Sequence, residues 1–392
     1  MTDAARPPLR VAMIGHGFMG AAHSHAWRTA QRFFDLPRRI EMVAVAGRNP
    51  ETLREAADRY GWSECDTDWR RVVERDDIDL VDVVTPGSAH MEVAVAALDA
   101  GKHVLCEKPL ANTLAEAGAM AEAAAKARER GVFAMVGFTY RRVPAVRLAR
   151  ELVESGEIGR IRQTRAVYLQ DWLSDENAPL TWRLDRSAAG SGALGDIGAH
   201  IVDAIQYVTG QELTGVSGMT RTFVTERPML EESVGLSGRA SESRRGPVTV
   251  DDAAVFFGTL SGGGLATFEA TRMAPGRKNA LRFEISGTTG ALAFDLEDLN
   301  TLQVFSFADG NTAGFRRVLV TEPEHPYVAA WWPPGHMLGY EHGFTHQVRD
   351  LVAAIDAGEQ PRPSFEEGLQ VQRVLEAVER SAAADARWTP LT

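Results

Sequence analysis

Over the first 140 residues, short apolar runs alternate with longer amphipathic stretches. Leu9 to Ile14 is apolar and passes at once into Gly15-His16-Gly17-Phe18-Met19-Gly20 and a helical stretch from about Met19 to Arg32, which reads as strand, glycine turn, helix. Ile40 to Ala46 predicts a second strand, after which Asn49 is placed to cap a helix, Pro50 suits its first position and Gly61 closes it. A weak third strand around Glu64 to Asp66 and a fourth at Leu80 to Val84 precede a helix from His90 to Ala100 that stops at Gly101. His103 to Cys106 is the fifth strand, Leu114 to Arg130 an alanine-rich helix, and Phe133 to Gly137 the sixth strand. Alternation at this rhythm predicts an α/β domain, a doubly wound parallel sheet with helices on both faces.

The texture changes after Phe138. Pro144 to Glu154 reads as a helix, and the apolar segments Thr164 to Leu169, Ala253 to Leu260, Leu265 to Ala270, Leu281 to Ile285, Leu292 to Phe294 and Leu302 to Phe307 follow with short turns, of which Ser261-Gly262-Gly263-Gly264 is a hairpin turn. Strands joined so tightly run antiparallel, which predicts a second α/β domain built on a mainly antiparallel, open-faced sheet with helices on one face. Thr222 to Val248, charged and glycine-bearing, reads as a mobile loop or insertion, and helices return at Phe344 to Ala357 and Glu366 to Ala384. The division falls at residues 1–140 and 141–392, as expected for a chain of 392 residues.

Composition narrows the partners. With 44% apolar and 24% charged residues, no long apolar tract and no signal segment at the start, the chain is expected to remain in the cytoplasm. A formal charge of −11 without a basic patch disfavours nucleic acid and anionic membrane as partners. Cys65 and Cys106 match no metal or redox spacing and read as small buried hydrophobes.

Candidate chemistry then falls at a few places. In the glycine turn, Gly15 permits a tight turn, Gly17 lets backbone approach a pyrophosphate, and Gly20 allows close helix packing, while the helix amides from Phe18 and Met19 onward face the anion. Gly47-Arg48-Asn49 stands where an acidic residue gripping an adenosine 2′-hydroxyl is expected; Arg48 suits a 2′-phosphate and favours NADP, while Asn49 is compatible with NAD. Glu107-Lys108-Pro109 leaves the carboxyl end of the fifth strand, the end at which such sheets hold ligands, so Lys108 stands on a rigid element. Asp196 and His200 are four apart at the start of a helical run, where the dipole favours an ionised Asp196 and a neutral imidazole base. His325, His336, His342 and His346 come without acidic or cysteine ligands, and no metal is expected. Trp331-Trp332 and Gln170-Asp171-Trp172 are groups of the kind that stack on a sugar and bind its hydroxyls.

Taken together, the glycine turn, Thr85-Pro86 with His90 four residues after the proline, Glu107-Lys108-Pro109, and Asp196 with His200 resemble the Gfo/Idh/MocA family of nicotinamide-dependent oxidoreductases over nearly the whole chain. The resemblance implies an N-terminal Rossmann domain and a C-terminal domain whose open sheet face pairs subunits into dimers and often tetramers, with the active site between the domains. It implies that His200 takes the proton of a substrate hydroxyl, that Lys108 and Asp196 orient that hydroxyl, that the Lys108-Pro109 bond is cis, and that Thr85, Pro86, His90 and Glu107 to Pro109 serve the cofactor. Tyr140 and Arg141 match a stretch lining the pocket. Gln170 to Leu173, Thr181-Trp182-Arg183 and Gly339-Tyr340-Glu341-His342 resemble the branch that oxidises sugars or their anhydro derivatives, which implies Tyr140, Gln170, Trp172, Trp182, Arg183 and His342 as substrate contacts. The expected function is hydride transfer between a secondary hydroxyl of a sugar, inositol or glycoside and NAD(P). The alternatives are a redox-neutral glycoside-cleaving or eliminating enzyme that retains its NAD, and a noncatalytic dinucleotide-binding sensor.

Overall fold

The computed structural model describes residues 6–234 and 237–391, in two compact units divided as Met1–Thr139 with Tyr340–Leu369 and Tyr140–Gly339 with Gln370–Thr392. The first unit follows the expected alternation: β1 (Leu9–Ile14), α1 (Phe18–Phe33), β2 (Ile40–Ala46), α2 (Pro50–Tyr60), β3 (Glu64–Asp66), α3 (Trp69–Val73), β4 (Leu80–Val83), α4 (His90–Asp99), β5 (His103–Cys106), α5 (Leu114–Arg128) and β6 (Ala134–Val136). All pairings in its six-stranded sheet are parallel, in the order β3-β2-β1-β4-β5-β6. The order reverses between β1 and β4, which opens the crevice that doubly wound sheets use for ligands at the carboxyl ends of their strands.

Local chemistry sets the element ends. The Asn49 side chain accepts from the amides of Glu51 and Thr52, Pro50 opens α2, and Gly61 closes it at φ 78°. Thr113 and Glu116 form a reciprocal capping box on α5. Cys106 is buried, whereas Cys65 is exposed, contrary to expectation; it lies on β3, a three-residue strand at the edge of the sheet with a neighbour on one side only.

The second unit comprises α6 (Pro144–Glu154), β7 (Ile161–Leu169), α7 (Arg186–Ala189), a π turn (Leu194–Gly198) running into α8 (Ala199–Thr209), and then β8 (Leu213–Arg221), β9 (Glu226–Val234), β10 (Ser237–Pro247), β11 (Ala253–Leu260), β12 (Leu265–Thr271), β13 (Ala280–Gly287), β14 (Gly290–Asp295), β15 (Thr301–Ser306) and β16 (Arg316–Leu319). A late β17 (Thr389–Pro390) completes a nine-stranded sheet in the order β16-β15-β14-β13-β7-β12-β11-β8-β17, in which only β7 and β12 pair in parallel. Alternation along β11 and along β12 up to Ala270 buries Phe256 and Phe268 on one face and exposes Val255, Phe257 and Leu265 on the other, so this sheet has the open apolar face that was expected.

Two segments differ from the sequence reading. The stretch Thr222 to Val248 is not a loop: β9 and β10 form an antiparallel hairpin, of which residues 235–236 lie outside the described part. Its register shifts twice, and those shifts break the two-residue period by which a strand is recognised. The chain also returns to the first unit in α9 (Tyr340–Ala357), a stretch the division at 140/141 placed in the second. Phe344, Val348, Leu351, Val352 and Ile355 form one helical stripe and join the core of Leu9, Met13, Trp27 and Leu105. The last helix, α10 (Phe365–Ala383), carries the boundary at Leu369/Gln370.

Candidate active site

At the glycine turn, Gly15 has φ +111° and a Cβ there would lie 2.8 Å from the Val84 carbonyl oxygen, while a Cβ on Gly20 would lie 2.9 Å from the Gly15 oxygen. At Gly17 a Cβ would meet nothing, and the helix that begins at Phe18 and Met19 has no side-chain cap on its amides. Open space before uncapped amides fits a pyrophosphate. Thr85, beyond the end of β4, has a buried hydroxyl with no hydrogen-bond partner in the protein, a polar atom that a bound ligand would satisfy. At the end of β2, the space beside Gly47 is filled by the His16 ring, whose Nδ1 would lie 2.1 Å from a Cβ, and His16 Nε2 is 3.0 Å from the Thr52 hydroxyl. Arg48 is exposed, and the Asn49 carbonyl oxygen is occupied in capping α2.

Lys108 follows a buried chain of charges. Glu107 Oε2 accepts from the Lys108 amide at 3.1 Å and Oε1 lies 2.9 Å from His23 Nε2, while His23 Nδ1 lies 3.0 and 2.9 Å from the two oxygens of Asp82. Trp27 Nε1 donates to Asp82 Oδ2 at 2.6 Å. Burial pulls the His23 pKa down, but the Asp82 charge and the hydrogen bonds to Asp82 and Glu107 outweigh it and raise the imidazolium to about 10. Burial pushes Glu107 up, yet the hydrogen bond and charge of His23 and the nearby Lys108 hold it below the ordinary carboxylate range. A pH dependence follows. Because His23 titrates higher folded than unfolded, its stabilisation is complete below about pH 6.5 and is lost as pH rises through 10. The melting temperature of the wild type is therefore expected to fall between pH 7 and 10 more steeply than that of His23→Gln, measured by calorimetry across that range; parallel curves would contradict a charged His23.

His90, expected to contact the cofactor, is buried, with Nε2 2.9 Å from the Thr85 carbonyl oxygen and Nδ1 3.1 and 3.3 Å from those of Pro109 and Leu110. Burial lowers its pKa, against the hydrogen bonds to these carbonyls, and the ring lies between the strand end at Thr85 and Pro86 and the loop after Lys108. The Lys108-Pro109 bond is cis, as the resemblance implied.

In the second unit, Asp196 sits in the π turn and His200 is the second residue of α8. Asp251 organises their approach: its carboxylate accepts from the amides of Gly192 (2.7 Å) and Leu194 (2.8 Å), and its carbonyl accepts from Ala193 (3.0 Å). A side chain at Gly192 would collide with that carbonyl at 1.8 Å, so the glycine is required by close approach. Arg272, fully buried, holds Nη1 3.6 Å from Asp196 Oδ2 and faces the Trp172 ring at 5.6 Å. Arg183 stacks on Trp182 at 4.4 Å; burial lowers its pKa, opposed by the charge of Asp196.

The rings of Tyr140 and Tyr168 lie 4.6 and 5.8 Å from that of His200. From there a hydrogen-bonded chain runs from Tyr140 to the Tyr168 hydroxyl (2.8 Å), from Tyr168 to Asn279 Oδ1 (2.7 Å), to the same oxygen from Gln170 Nε2 (2.8 Å), and from Trp172 Nε1 to Gln170 Oε1 (2.9 Å). Tyr140, Gln170, Trp172, Asp196 and His200, anticipated separately, thus belong to one set of contacts. Tyr168, Asn279, Arg272 and Asp251 complete it and had no signal in the sequence. Arg141 pairs with buried Asp203 at 2.6 Å and faces the Tyr207 ring. His342 lies on α9 of the first unit, with Glu341 at 3.4 Å. Among the described residues no group of three His, Cys, Asp or Glu is placed to hold a metal ion.

Residues 9–138 match the model of the oxidoreductase family with an NAD-binding Rossmann fold, and residues 146–293 match the GFO/IDH/MocA C-terminal domain. The chain belongs to the Gfo/Idh/MocA oxidoreductase family. Among curated relatives of this Gfo/Idh/MocA protein, levoglucosan dehydrogenase of Pseudarthrobacter phenanthrenivorans is 42% identical over 96% of this chain and 97% of its own. A crystal structure of an oxidoreductase domain protein from Kribbella flavida superposes with a TM-score of 0.94 at 61% identity, covering 98% of this chain and all of that one. Levoglucosan dehydrogenase in complex with NADH and levoglucosan superposes with a TM-score of 0.91 at 41% identity, covering 98% of this chain and 99% of that one. The family and the glycine cradle agree on a nicotinamide dinucleotide as the cofactor class. No helix among the described residues is long and apolar enough to cross a membrane.

Proposed function

We propose that the protein is a dehydrogenase that oxidises a secondary hydroxyl of a cyclic sugar or anhydrosugar, with levoglucosan the first substrate to test. The observation that carries this reading is the contact set around His200, in which an imidazole is flanked by two tyrosines and continued by two amides, an indole and one arginine in a chain 42% identical to levoglucosan dehydrogenase. Such groups stack on C–H faces and bind hydroxyls. In this reading His200 takes the hydroxyl proton, Lys108 holds the same oxygen by its charge as the alkoxide develops, and Asp196, kept near the Arg272 guanidinium, orients the hydroxyl. When bound, the nicotinamide accepts the hydride from the carbinol carbon. Tyr140, Gln170, Trp172, Trp182, Arg183 and His342 are assigned to the sugar.

The cofactor would be held by Gly15, Gly17, Phe18, Met19 and Gly20 at its pyrophosphate, by Arg48 and Asn49 at its adenosine end, and by Thr85, Pro86, Glu107, Lys108 and Pro109 toward its nicotinamide. Arg48 alone leans to NADP, but the related enzyme was solved with NADH, and we assign NAD to this chain. We assign its open sheet face, with Met219, Val255, Phe257 and Leu265 exposed, to pairing with a second copy.

A panel of levoglucosan, other sugars, inositols and glycosides, each with NAD and with NADP, tests the assignment through the absorbance of reduced nicotinamide. Turnover on an anhydrosugar or sugar with NAD preferred is the expected result. Product formation without free reduced nicotinamide would indicate redox-neutral cleavage or elimination, and no reaction with any compound would favour a dinucleotide-binding sensor.

A further inference from the structure

We infer that His23 is a positioning residue for Lys108, acting through Glu107 as a doubly protonated bridge between the helix after the glycine turn and the lysine loop. Its role in turnover rests on the dehydrogenase reading above. The geometry itself does not.

Three ionisable side chains are buried together: His23 on α1, Asp82 on β4 and Glu107 directly after β5, at 1%, 0% and 4% exposure. An ionised carboxylate only accepts, and a neutral imidazole has one donor. With His23 nitrogens 2.9 Å from both carboxylates, the ring satisfies both sides only when it carries two protons. The array has further donors: Asp82 Oδ2, which His23 Nδ1 meets at 2.9 Å, also accepts from the Trp27 indole, and Glu107 Oε2 accepts from the Lys108 amide. The chain Trp27, Asp82, His23, Glu107 and Lys108 backbone therefore has a donor for every acceptor. Other charged or titratable groups near it are the Lys108 ammonium, Cys106 on β5 and His90 on α4, while α9 presents the Phe344 ring at 5.4 Å.

Helix packing alone does not call for this array. Buried ion pairs add little over apolar packing, although breaking one is costly. Neighbouring backbone is also shaped to the carboxylate: at Gly137, beyond β6, a Cβ would lie 2.9 Å from Glu107 Oε1, so any side chain there would displace it. What the array fixes is the Glu107 rotamer, and through it the Lys108 amide. Asp82, His23 and Glu107 sum to one negative charge beside the ammonium of Lys108, which favours one placement of that charge. Since α1 opens at the glycine turn, His23 also ties the lysine to the helix assigned to the pyrophosphate.

The test compares wild type with His23→Gln, which donates to one carboxylate but not both, and with the double variant H23Q/E107Q, which removes one of the two buried carboxylates left without their cation. Turnover on the sugar identified by the panel is expected to fall about 10- to 100-fold in H23Q, the scale for outer partners of site residues, with the NADH dissociation constant by fluorescence changing less than about threefold. The double variant is expected to recover melting temperature without recovering turnover, and it carries the test should H23Q fail to fold. Peptide mass spectrometry after a pulse of acetic anhydride supplies a readout that needs no substrate, and the Lys108 acylation rate is expected to change by about threefold or more. A lower melting temperature with unchanged turnover and unchanged acylation would reduce His23 to charge compensation in the core and overturn the proposal. Should wild type turn over no sugar, the dehydrogenase reading fails and the acylation rates alone decide the role of His23.

Discussion

His200→Ala is expected to lower turnover by about two to four orders of magnitude, the scale of a positioned acid–base group, with NADH affinity little changed. The ring removed is the one that Tyr140 and Tyr168 flank at 4.6 and 5.8 Å. Alanine is a strong helix former and α8 keeps its Asp251 clamp at the preceding turn, so the helix persists and the loss is chemical. Added imidazole is expected to restore part of the rate, because a diffusible base can replace the missing one. Turnover within a few-fold of wild type would remove His200 from its assigned role and leave proton transfer to another group in the same contact set.

The first unit was legible because its signals are local. A parallel sheet writes each strand as a short apolar run, and glycine, asparagine and proline mark helix ends within a few residues, so Asn49, Pro50 and Gly61 could be placed from the chain alone. His23 escaped notice because it sits mid-helix with partners 59 and 84 residues away. The second unit hides its site in the same manner. Tyr168, Gln170, Trp172, Arg272 and Asn279 meet through strand β7 and its two sheet neighbours β12 and β13, which are far from it in sequence, and Tyr140 joins them through the Tyr168 hydroxyl. No spacing encodes such a chain. The β9 and β10 hairpin was hidden by its shifted register, and α9 by its place in the sequence, since an amphipathic stripe states that a helix has a core but not which one.

Lys108→Met is expected to lower kcat by about two to three orders of magnitude, the scale for removing one donor aimed at a developing alkoxide. Methionine keeps an unbranched apolar stem of similar length, so the loop is filled and only the charge is lost. Because that charge is assigned to the oxygen as it becomes negative, kcat is expected to fall more than KM rises. Lys108→Arg is expected to recover little. A planar guanidinium spreads its charge over a fork and cannot replace a compact ammonium at one oxygen. The double variant K108M/H200A is expected to lose less than the product of the two single losses, since both groups are assigned to one hydroxyl and each is of reduced use without the other. Strictly multiplicative losses would mean that the lysine and the histidine act on separate steps, and a K108M variant with raised KM but unchanged kcat would assign Lys108 to binding alone.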